Sequence, residues 1–509
     1  MARCLIGIDI GTSGTKAIVM DTEGTLIASS LHTYEVLTPR ALWAEQWPEV
    51  WLEACNASIR EVARKIGPRA AEIAGIAVSG LYGGSGIPLD ADMRPLRPCL
   101  IWMDRRAQAE EQWVLEHIGP ERIRRITHNG TDPYYGYTKI LWIKNNEREN
   151  WDKTKLFLPP NAYVIYRWTG EVAVDYSSAG NIGGVFDMNT RTWSAELLEE
   201  MGIPLSMMPE RVVESSDIVG RLTKAAAAEL GLPAGIPVCA GGVDCVVATL
   251  GLGVFKPGTY AAAIGTSMCA ALVHDKPIPA RGLIEMPYVK DPTALSYSFG
   301  GAATAGALIK WFRDNFGGEE KAAEKNGGPD AYAALDKSAA GIGPGSEGLI
   351  LLPYFMGERS PVWDTHARGT LMGLSLAHTR AHVYRAFLEG VAYSLRDSLE
   401  STHTEIGESI LVAGGAAKSP LWRQIIADVT GHSIRCPRED VEANLGDVIL
   451  AGVGTGCFTY EDVQSWQVFD PPVKPRDGAR KVYDGLFKIY KSLYRNLKGD
   501  FADLSRSGS

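Results

Sequence analysis

The stretch CLIGIDIGTSGTKAIVMD, residues 4–21, decides the fold of this chain because a small polar turn separates two apolar runs. The runs before and after Gly11-Thr12-Ser13 are rich in β-branched residues and predict the two strands of a hairpin. A turn built of glycine, threonine and serine offers backbone N–H groups and hydroxyls without bulk, which suits the binding of phosphate. The same tripeptide returns at Gly265-Thr266-Ser267, again between apolar runs. The repeat raises the hypothesis of two related halves that bind one polyphosphate.

The wider pattern of the sequence supports this division. A third strand follows the turn at residues 21–24, apolar positions at helical spacing predict a helix over 48–65, and a buried strand is expected at 73–80. Helical and strand segments then alternate to about Gly253, and the strand, turn, strand pattern restarts from Val254. We therefore predict two α/β domains, 1–253 and 254–509, with a cleft between them.

Composition narrows the class of protein. The 509 residues include 45% hydrophobic and 22% charged residues, and the net charge is −9, so nucleic acid and anionic membranes are not expected as partners. Eight cysteines without a Cys-x-x-Cys pair favour reduced thiols in a cytoplasmic protein. The uncharged stretch 73–89 contains glycine, serine and proline and does not read as a membrane span.

Asp9 is the first residue whose position in the sequence predicts a chemical role. It interrupts a strand of isoleucines, where an unpaired buried carboxylate would cost several kcal/mol. Coordination of Mg²⁺ beside phosphates would account for it, since hard oxygen ligands suit that ion. A solvated carboxylate at a strand end is the alternative. The adjoining turn and Lys16, which could reach a phosphate, favour the metal.

Asp244 is the second such residue, in the segment PVCAGGVDCVVATLGLG, residues 237–253. It follows an apolar strand and two glycines and precedes an apolar helix. Asp is a preferred helix N-cap, so a purely structural role is one interpretation. The other is a general base that accepts the proton of an attacking hydroxyl, as phosphoryl transfer to alcohols requires.

The segment 412–431 predicts a glycine turn followed by a helix whose first and last residues are both marked in the sequence. Ser419 is expected as N-cap, Pro420 as the first helical residue and Gly431 as the residue that ends the helix. The Gly414-Gly415 turn before this helix would let a purine or ribose approach the backbone, and a helix N-terminus favours phosphate.

Together these motifs resemble the FGGY carbohydrate kinases, members of the actin-like ATPase superfamily, along most of the chain. Single pieces are weak, but their order along the chain is specific. The resemblance rests on Ile8-Asp9-Ile10-Gly11-Thr12-Ser13, Trp43-Ala44-Glu45-Gln46, Trp102-Met103-Asp104-Arg105-Arg106, Gly241-Gly242-Val243-Asp244, Gly265-Thr266-Ser267, the segment 369–390, Gly414-Gly415-Ala416-Ala417-Lys418-Ser419 and Asn444-Leu445-Gly446.

The resemblance implies two ribonuclease-H-like domains that close on ATP and a sugar, with Asp244 as catalytic base and Mg²⁺ near Asp9. The residues expected to bind ATP are Thr12, Ser13, Thr15, Lys16, Gly265, Thr266, Ser267, Gly306, Lys310, Gly414, Gly415, Ala416, Ser419 and Asn444. The residues expected to bind the sugar are Tyr82, Trp102, Asp104, Arg105, Tyr134 and Asp244. For the three aromatic side chains, which could stack on the apolar face of a sugar, packing in the core is the alternative.

For the acceptor, the resemblance is nearest to the pentulose kinases of the xylulokinase type, so a ketopentose is expected. The segment Ser79-Gly80-Leu81-Tyr82-Gly83-Gly84 departs from the Gln-Met-His usual there, and a linear polyol such as glycerol is the next candidate. An actin-like ATPase that couples nucleotide state to a protein partner is the alternative of another class. A homodimer is left open, since dimers are common among such enzymes.

Overall fold

The structure, a computed structural model, describes residues 3–278, 282–438 and 443–507. It contains two compact units that are discontinuous in sequence. The first comprises Met1–Phe255, Ile284–Tyr297 and Val441–Gln467, and the second comprises Lys256–Leu283, Ser298–Asp440 and Val468–Ser509. The two stretches expected from the sequence, 1–253 and 254–509, are by contrast continuous.

The strands are numbered in chain order. They are β1 Cys4–Ile10, β2 Gly14–Asp21, β3 Leu26–Thr33, β4 Glu45–Gln46, β5 Ile73–Gly80, β6 Ile87–Leu89, β7 Cys99–Leu100, β8 Leu156–Leu158, β9 Val174–Asp175, β10 Phe186–Asp187, β11 Thr192–Trp193, β12 Val212–Val213, β13 Ile218–Arg221, β14 Pro237–Val243, β15 Tyr260–Ile264, β16 Met268–His274, β17 Ile284–Pro287, β18 Ser296–Ala302, β19 Ile350–Leu352, β20 Thr370–Met372, β21 Ser409–Gly414 and β22 Ser433–Arg435.

The α-helices are numbered in the same way. They are α1 Pro48–Ile66, α2 Gln108–His117, α3 Pro120–Thr127, α4 Gly136–Asn146, α5 Arg148–Lys153, α6 Pro160–Thr169, α7 Tyr176–Asn181, α8 Ala195–Glu200, α9 Lys224–Leu230, α10 Asp244–Gly251, α11 Gly306–Phe316, α12 Gly318–Lys325, α13 Ala331–Ala339, α14 Arg380–Glu400, α15 Pro420–Thr430, α16 Ala443–Gly454 and α17 Asp477–Ser507.

The main sheets of the two units follow the same plan. In the first unit the order is β13-β14-β5-β1-β2-β3, and in the second unit five strands follow the order β18-β16-β15-β21-β22. Each sheet has an antiparallel hairpin, β1-β2 or β15-β16, whose first strand pairs in parallel with a later strand, β5 or β21. Read from β3 in the first sheet and from β18 in the second, the first four strands of both sheets have the chain order third, second, first, fourth. The prediction of two related α/β halves is therefore confirmed.

Local patterns in the sequence account for the elements that carry the candidate site. The helix expected over 48–65 is α1, with its buried face on the first sheet. The predicted bounds of α15 are also confirmed. The Ser419 hydroxyl accepts from Trp422 N, Pro420 is the first residue of the helix, and Gly431 ends it with a left-handed φ of 75°. None of the described helices is both long and apolar enough to cross a membrane.

Helix α16 crosses the first sheet directly over β1. A Cβ on Gly7 would lie 2.2 Å from the backbone oxygen of Asn444, so only glycine permits this approach. The Asn444 side chain donates to the carbonyls of Lys16, at 2.8 Å, and Gly7, at 3.5 Å. These contacts anchor the first turn of α16 on β1 and β2, at the level of Asp9.

Candidate active site

The first Gly-Thr-Ser turn joins β1 to β2. Gly11 N donates to Gly14 O at 3.0 Å, which closes the turn. The Thr12 hydroxyl accepts from Trp102 Nε1 at 3.0 Å, so the expected phosphate turn and the expected sugar-side tryptophan are in direct contact. Ser13 is exposed at the tip of the turn. The turn is thus held by its neighbours and keeps one hydroxyl accessible.

The residues that follow the turn divide into two kinds. Thr15 is fully buried and its hydroxyl lies 3.2 Å from the Tyr34 hydroxyl, so it packs inside the unit. Lys16 is partly exposed and is the residue opposite Asp9 on the paired strand β2. Its carbonyl is held by Asn444, which is itself buried. Among these expected nucleotide-binding residues, Lys16 is thus the one beside the expected metal-binding carboxylate.

Asp9 has two notable neighbours within the first unit. Ser79, its register partner on β5, has its hydroxyl 3.4 Å from Asp9 Oδ1. The same hydroxyl donates to Asp447 Oδ2 at 2.7 Å. Burial, together with the negative charges of Asp9 and Asp244, raises the pKa of Asp447 well above its usual range. The carboxylates of Asp9 on β1 and Asp244 on α10 therefore act electrostatically on Asp447 of α16.

Asp244 is the first residue of α10, and the N-cap position belongs to Val243. The interpretation of Asp244 as an N-cap is therefore not supported. Its Oδ1 accepts from Cys245 N at 2.6 Å, and the side chain stays partly exposed. Desolvation raises the pKa of Asp244 to about 6, against a donation from Cys245 N that lowers it.

A glycine positions the strand that leads to Asp244. Gly241 has a φ of 67°, and a Cβ there would lie 1.8 Å from the carbonyl oxygen of Val78 on the neighbouring strand. Because both the backbone angle and the space exclude a side chain, this position requires glycine. Gly241, the first glycine of the motif, is thus explained by the close passage of β14 against β5.

The expected sugar-side aromatics lie on loops that pack together. Tyr82 and Tyr134 are both buried, and burial raises the pKa of Tyr82. A Cβ on Gly83 would lie 2.8 Å from the Tyr134 ring. The fully buried Lys139 donates to the carbonyls of Gly83, at 2.6 Å, and of Tyr134. One ammonium group thus joins the two loops, and burial lowers the pKa of Lys139 to about 7.

The charged residues of the same region are engaged with protein groups. Asp104 is fully buried and accepts from Ala44 N at 2.7 Å and from the Arg106 guanidinium at 2.7 to 3.0 Å. Arg105 forms an ion pair with Asp132, with nitrogen–oxygen distances of 2.7 and 2.9 Å. Asp104 therefore holds the loop in place, and the charge of Arg105 is compensated.

The second Gly-Thr-Ser turn, between β15 and β16, is bonded to the start of α11. Gly265 N donates to Ser267 O at 3.0 Å, and Gly306 N donates to Gly265 O at 2.7 Å. The Thr266 carbonyl accepts from the backbone N–H groups of Ala305 and Ala307, both at 3.0 Å. The structure thus brings together two segments far apart in the chain that were both expected to bind ATP.

A cavity of about 1140 Å³ opens beside this turn within the second unit. Its walls are largely apolar and include exposed aromatic surface, since Trp311 is 41% exposed. Six of the expected ATP-binding residues line it, namely Gly265, Thr266, Gly306, Lys310, Gly415 and Ser419. Lys310 forms an ion pair with Asp314 at 3.1 Å on the same helix.

The remaining expected residues of this unit lie around the cavity. Gly414 has a φ of 83°, and a Cβ there would lie 2.6 Å from Ile264 O, so it allows β21 to end against β15. Ala416 is fully buried behind it. Ser419 donates to Asp336 Oδ2 at 2.6 Å, and Asp336, whose pKa is raised by burial, is a further wall residue.

The side chains that could bind a metal ion at the site are few. Among the described residues, no group of three or more His, Cys, Asp or Glu side chains is arranged to hold a metal ion. Mg²⁺ needs fewer protein ligands, because it keeps waters and takes phosphate oxygens beside one or two carboxylates. Asp9, partly exposed at the phosphate turn, fits that requirement.

Sequence reasoning missed Asp447, Lys139 and Asp336. Asp447 carried a signal, a single carboxylate within the apolar segment ANLGDVILAG of α16. Lys139 and Asp336 lie in ordinary helical patterns. Their positions depend on how the helices pack, which a local sequence pattern does not predict.

Comparisons with known proteins identify the family of this chain. The chain matches the model of the FGGY family of carbohydrate kinases, N-terminal domain, over residues 4–251, and the C-terminal domain of that family over 260–455. It is 31% identical over 458 residues to a xylulose kinase of Lactococcus lactis subsp. lactis (strain IL1403), which covers 89% of this chain and 88% of that relative.

A gluconokinase of Bacillus subtilis (strain 168) is 30% identical over 470 residues, covering 91% of this chain and 90% of that protein. The crystal structure of xylulose kinase from Rhodospirillum rubrum superposes with a TM-score of 0.89 at 28% identity, covering 98% of this chain and 100% of that chain. The two mixed sheets, the matched domains and these relatives agree: the chain belongs to the FGGY family of carbohydrate kinases.

Proposed function

We propose that this carbohydrate kinase transfers the γ-phosphate of ATP to a hydroxyl of a ketopentose, with Asp244 as the catalytic base. The observation that carries the reaction is the position of Asp244, a partly exposed carboxylate at the first residue of α10 with a pKa raised to about 6. A base with that pKa is ionised at neutral pH and is a stronger proton acceptor than an ordinary carboxylate.

In the proposed step, the Asp244 carboxylate accepts the proton of the sugar hydroxyl while that oxygen bonds to the γ-phosphorus. The bond from phosphorus to the β,γ-bridging oxygen breaks, and ADP leaves with the electron pair. Mg²⁺, held by Asp9, would neutralise charge on the phosphate oxygens. The Gly-Thr-Ser turn after β1 is proposed to bind phosphate through its N–H groups and the accessible Ser13 hydroxyl.

The cavity of the second unit is proposed to bind the nucleotide. Its apolar walls and the exposed face of Trp311 suit a purine ring, which gains from stacking. The start of α11 beside the second turn suits phosphate through the helix dipole, which favours an anion there, while the N–H groups of Gly306 and Ala307 are bonded to the turn. Residues Gly306 and Lys310, both in α11, line this cavity.

For the acceptor, the compensated charges of the sugar-side loops support an uncharged sugar. Arg105 is paired with Asp132, and Lys139 is fully buried with a pKa lowered to about 7, so neither offers an uncompensated positive charge to a carboxylate at the surface of the loops. That favours a ketopentose, the acceptor named for the xylulose kinase relative, over a sugar acid, the acceptor named for the gluconokinase. A linear polyol, also uncharged, stays the alternative within the same family.

The test is ADP release from Mg·ATP with D-xylulose, D-ribulose, D-gluconate and glycerol, for the wild type, Asp244→Asn and Asp92→Asn. Asp92 is a matched control because it is an exposed carboxylate of the same unit, paired with Arg94 at the surface. We expect strong turnover with one ketopentose, a loss of at least 10³-fold in kcat in Asp244→Asn, in keeping with removal of a general base, and no change in Asp92→Asn.

Each other result contradicts a different part of the proposal. Turnover with gluconate or glycerol alone would overturn the ketopentose acceptor and leave the base in place. Full activity of Asp244→Asn would remove Asp244 from the chemistry. ATP binding without ADP release on any of the four acceptors would favour an ATPase that responds to a protein partner.

A further inference from the structure

Asp447 is a buried carboxylate that the proposed reaction does not yet use. It is fully buried on α16 within an apolar segment, and its Oδ2 accepts from the Ser79 hydroxyl. The other oxygen, Oδ1, is buried and has no hydrogen-bond partner among the described residues. Leaving a buried carboxylate oxygen without a partner costs free energy, which a ligand bound at that oxygen would offset.

The surroundings of Asp447 point to a cation. Its partner Ser79 also has its hydroxyl 3.4 Å from Asp9 Oδ1, so two carboxylates flank one hydroxyl. Buried like charges are tolerated when a proton or a metal ion compensates them. A proton on Oδ1 would need an acceptor there, whereas a metal ion binds a bare carboxylate oxygen.

Hydrogen bonds of neighbouring residues on α16, β1 and β5 also fix the position of Asp447. Asn444, one turn earlier on α16, is bonded to the carbonyls of Gly7 and Lys16, and Asp9 and Ser79 are register partners on β1 and β5. The Asp447 and Asp9 carboxylates thus lie on two sides of one serine hydroxyl, held by separate rigid elements.

We propose that Asp447 is a second carboxylate ligand, with Asp9, of the Mg²⁺ that accompanies the nucleotide. The proposal rests on the proposed kinase function. Two carboxylates, waters and phosphate oxygens complete the coordination that Mg²⁺ prefers. The Ser79 hydroxyl orients Asp447 by its donation to Oδ2, which leaves Oδ1 for the metal.

Binding of Mn²⁺, measured by electron paramagnetic resonance in the presence of a non-hydrolysable ATP analogue, tests this directly. The variants are Asp447→Asn and the control Glu110→Gln. Glu110 is a buried carboxylate of the same unit with one unpartnered oxygen, but it accepts from the amides of Asn145 and Asn146. We expect Asp447→Asn to raise the Kd for Mn²⁺ at least tenfold and Glu110→Gln to leave it unchanged.

Unchanged or tighter Mn²⁺ binding by Asp447→Asn would overturn the proposal, because asparagine mimics the protonated acid and would identify a proton as the compensating charge. The wild type provides a second measurement that needs no variant. With Fe²⁺, ascorbate and peroxide, backbone cleavage next to the bound metal is read by mass spectrometry. Cleavage beside both Asp9 and Asp447 is expected, and cleavage near Asp9 alone would overturn the proposal.

Neither measurement depends on which sugar is phosphorylated. If the wild type phosphorylates a ketopentose while Asp447→Asn binds Mn²⁺ normally, the metal ligand is wrong and the proposed function stands. If Mn²⁺ binding requires Asp447 but no acceptor is phosphorylated, the proposed function is wrong and the metal site stands.

Discussion

At the scale of single residues, the raised pKa of Asp244 has a direct kinetic consequence. The base must be ionised to accept a proton, and desolvation sets its pKa at about 6. We expect log kcat/KM for the sugar to be level above pH 7 and to fall with a slope of 1 below about pH 6. Steady-state kinetics from pH 5 to 8 measures this. A profile that stays level down to pH 5 would contradict the assignment.

Lys139 gives a second residue-scale prediction, on stability. Its pKa is about 7 in the folded protein and ordinarily 10.5, so between these values the unfolded chain binds more protons than the folded one. Stability therefore rises with pH in that window. From pH 7 to 9 we expect the free energy of unfolding of the wild type to gain about 2 kcal/mol relative to Lys139→Met.

Urea denaturation of both proteins at the two pH values measures the difference. Lys153→Met is the control, because Lys153 is exposed and pairs with Glu149 on the surface of α5. An equal pH dependence in Lys139→Met and the wild type would mean that Lys139 keeps its proton in the folded state.

At the scale of elements, the contact between the second turn and α11 can be broken by one methyl group. A Cβ on Gly306 would lie 2.4 Å from Gly265 O, so Gly306→Ala must push the helix start away from the turn. We expect the Kd for ATP to rise at least tenfold, measured by isothermal titration calorimetry. Gly318→Ala is the control: Gly318 is the first residue of α12, and a Cβ there meets nothing within 4 Å.

The helices and strands also show which features of the fold the sequence predicts and which it does not. Patterns that are local in sequence predict the hairpin β1-β2, helix α1 and the bounds of α15, and all three are confirmed. The contact of Gly306 with the turn at Gly265 joins positions 41 residues apart and depends on how α11 packs. The same holds for Asp447, whose role is visible only once α16 lies across β1.

At the scale of the whole molecule, each unit has its own hydrophobic core. Ile59 is fully buried in the core of the first unit and Ile425 in that of the second. Truncation of such a side chain to alanine costs about 2 to 5 kcal/mol. We expect calorimetry to resolve two unfolding components, with Ile59→Ala lowering one and Ile425→Ala the other. ADP should raise the component that Ile425→Ala lowers, because ligand binding stabilises the unit that binds it.

A single transition, lowered equally by both variants, would mean that the two cores unfold together. The two-part plan itself was predictable, because the repeated turn marks the first hairpin of both sheets. The discontinuity of the units was not. It depends on which unit the segments 284–297 and 441–467 pack into, and a local sequence pattern predicts the type of an element but not the element it packs against.

The membership of α16 in the first unit has a consequence for biosynthesis. The ribosome completes residues 1–255 long before it reaches 443–454, yet β1 and β5 are covered by the helix from that later segment. At usual synthesis rates the delay is roughly 10 to 40 s. During that interval the face of β1 and β5 that carries Gly7, Gly75 and Ser79 stays uncovered in the nascent first unit. A fragment ending at residue 255 would keep that face uncovered for its whole lifetime.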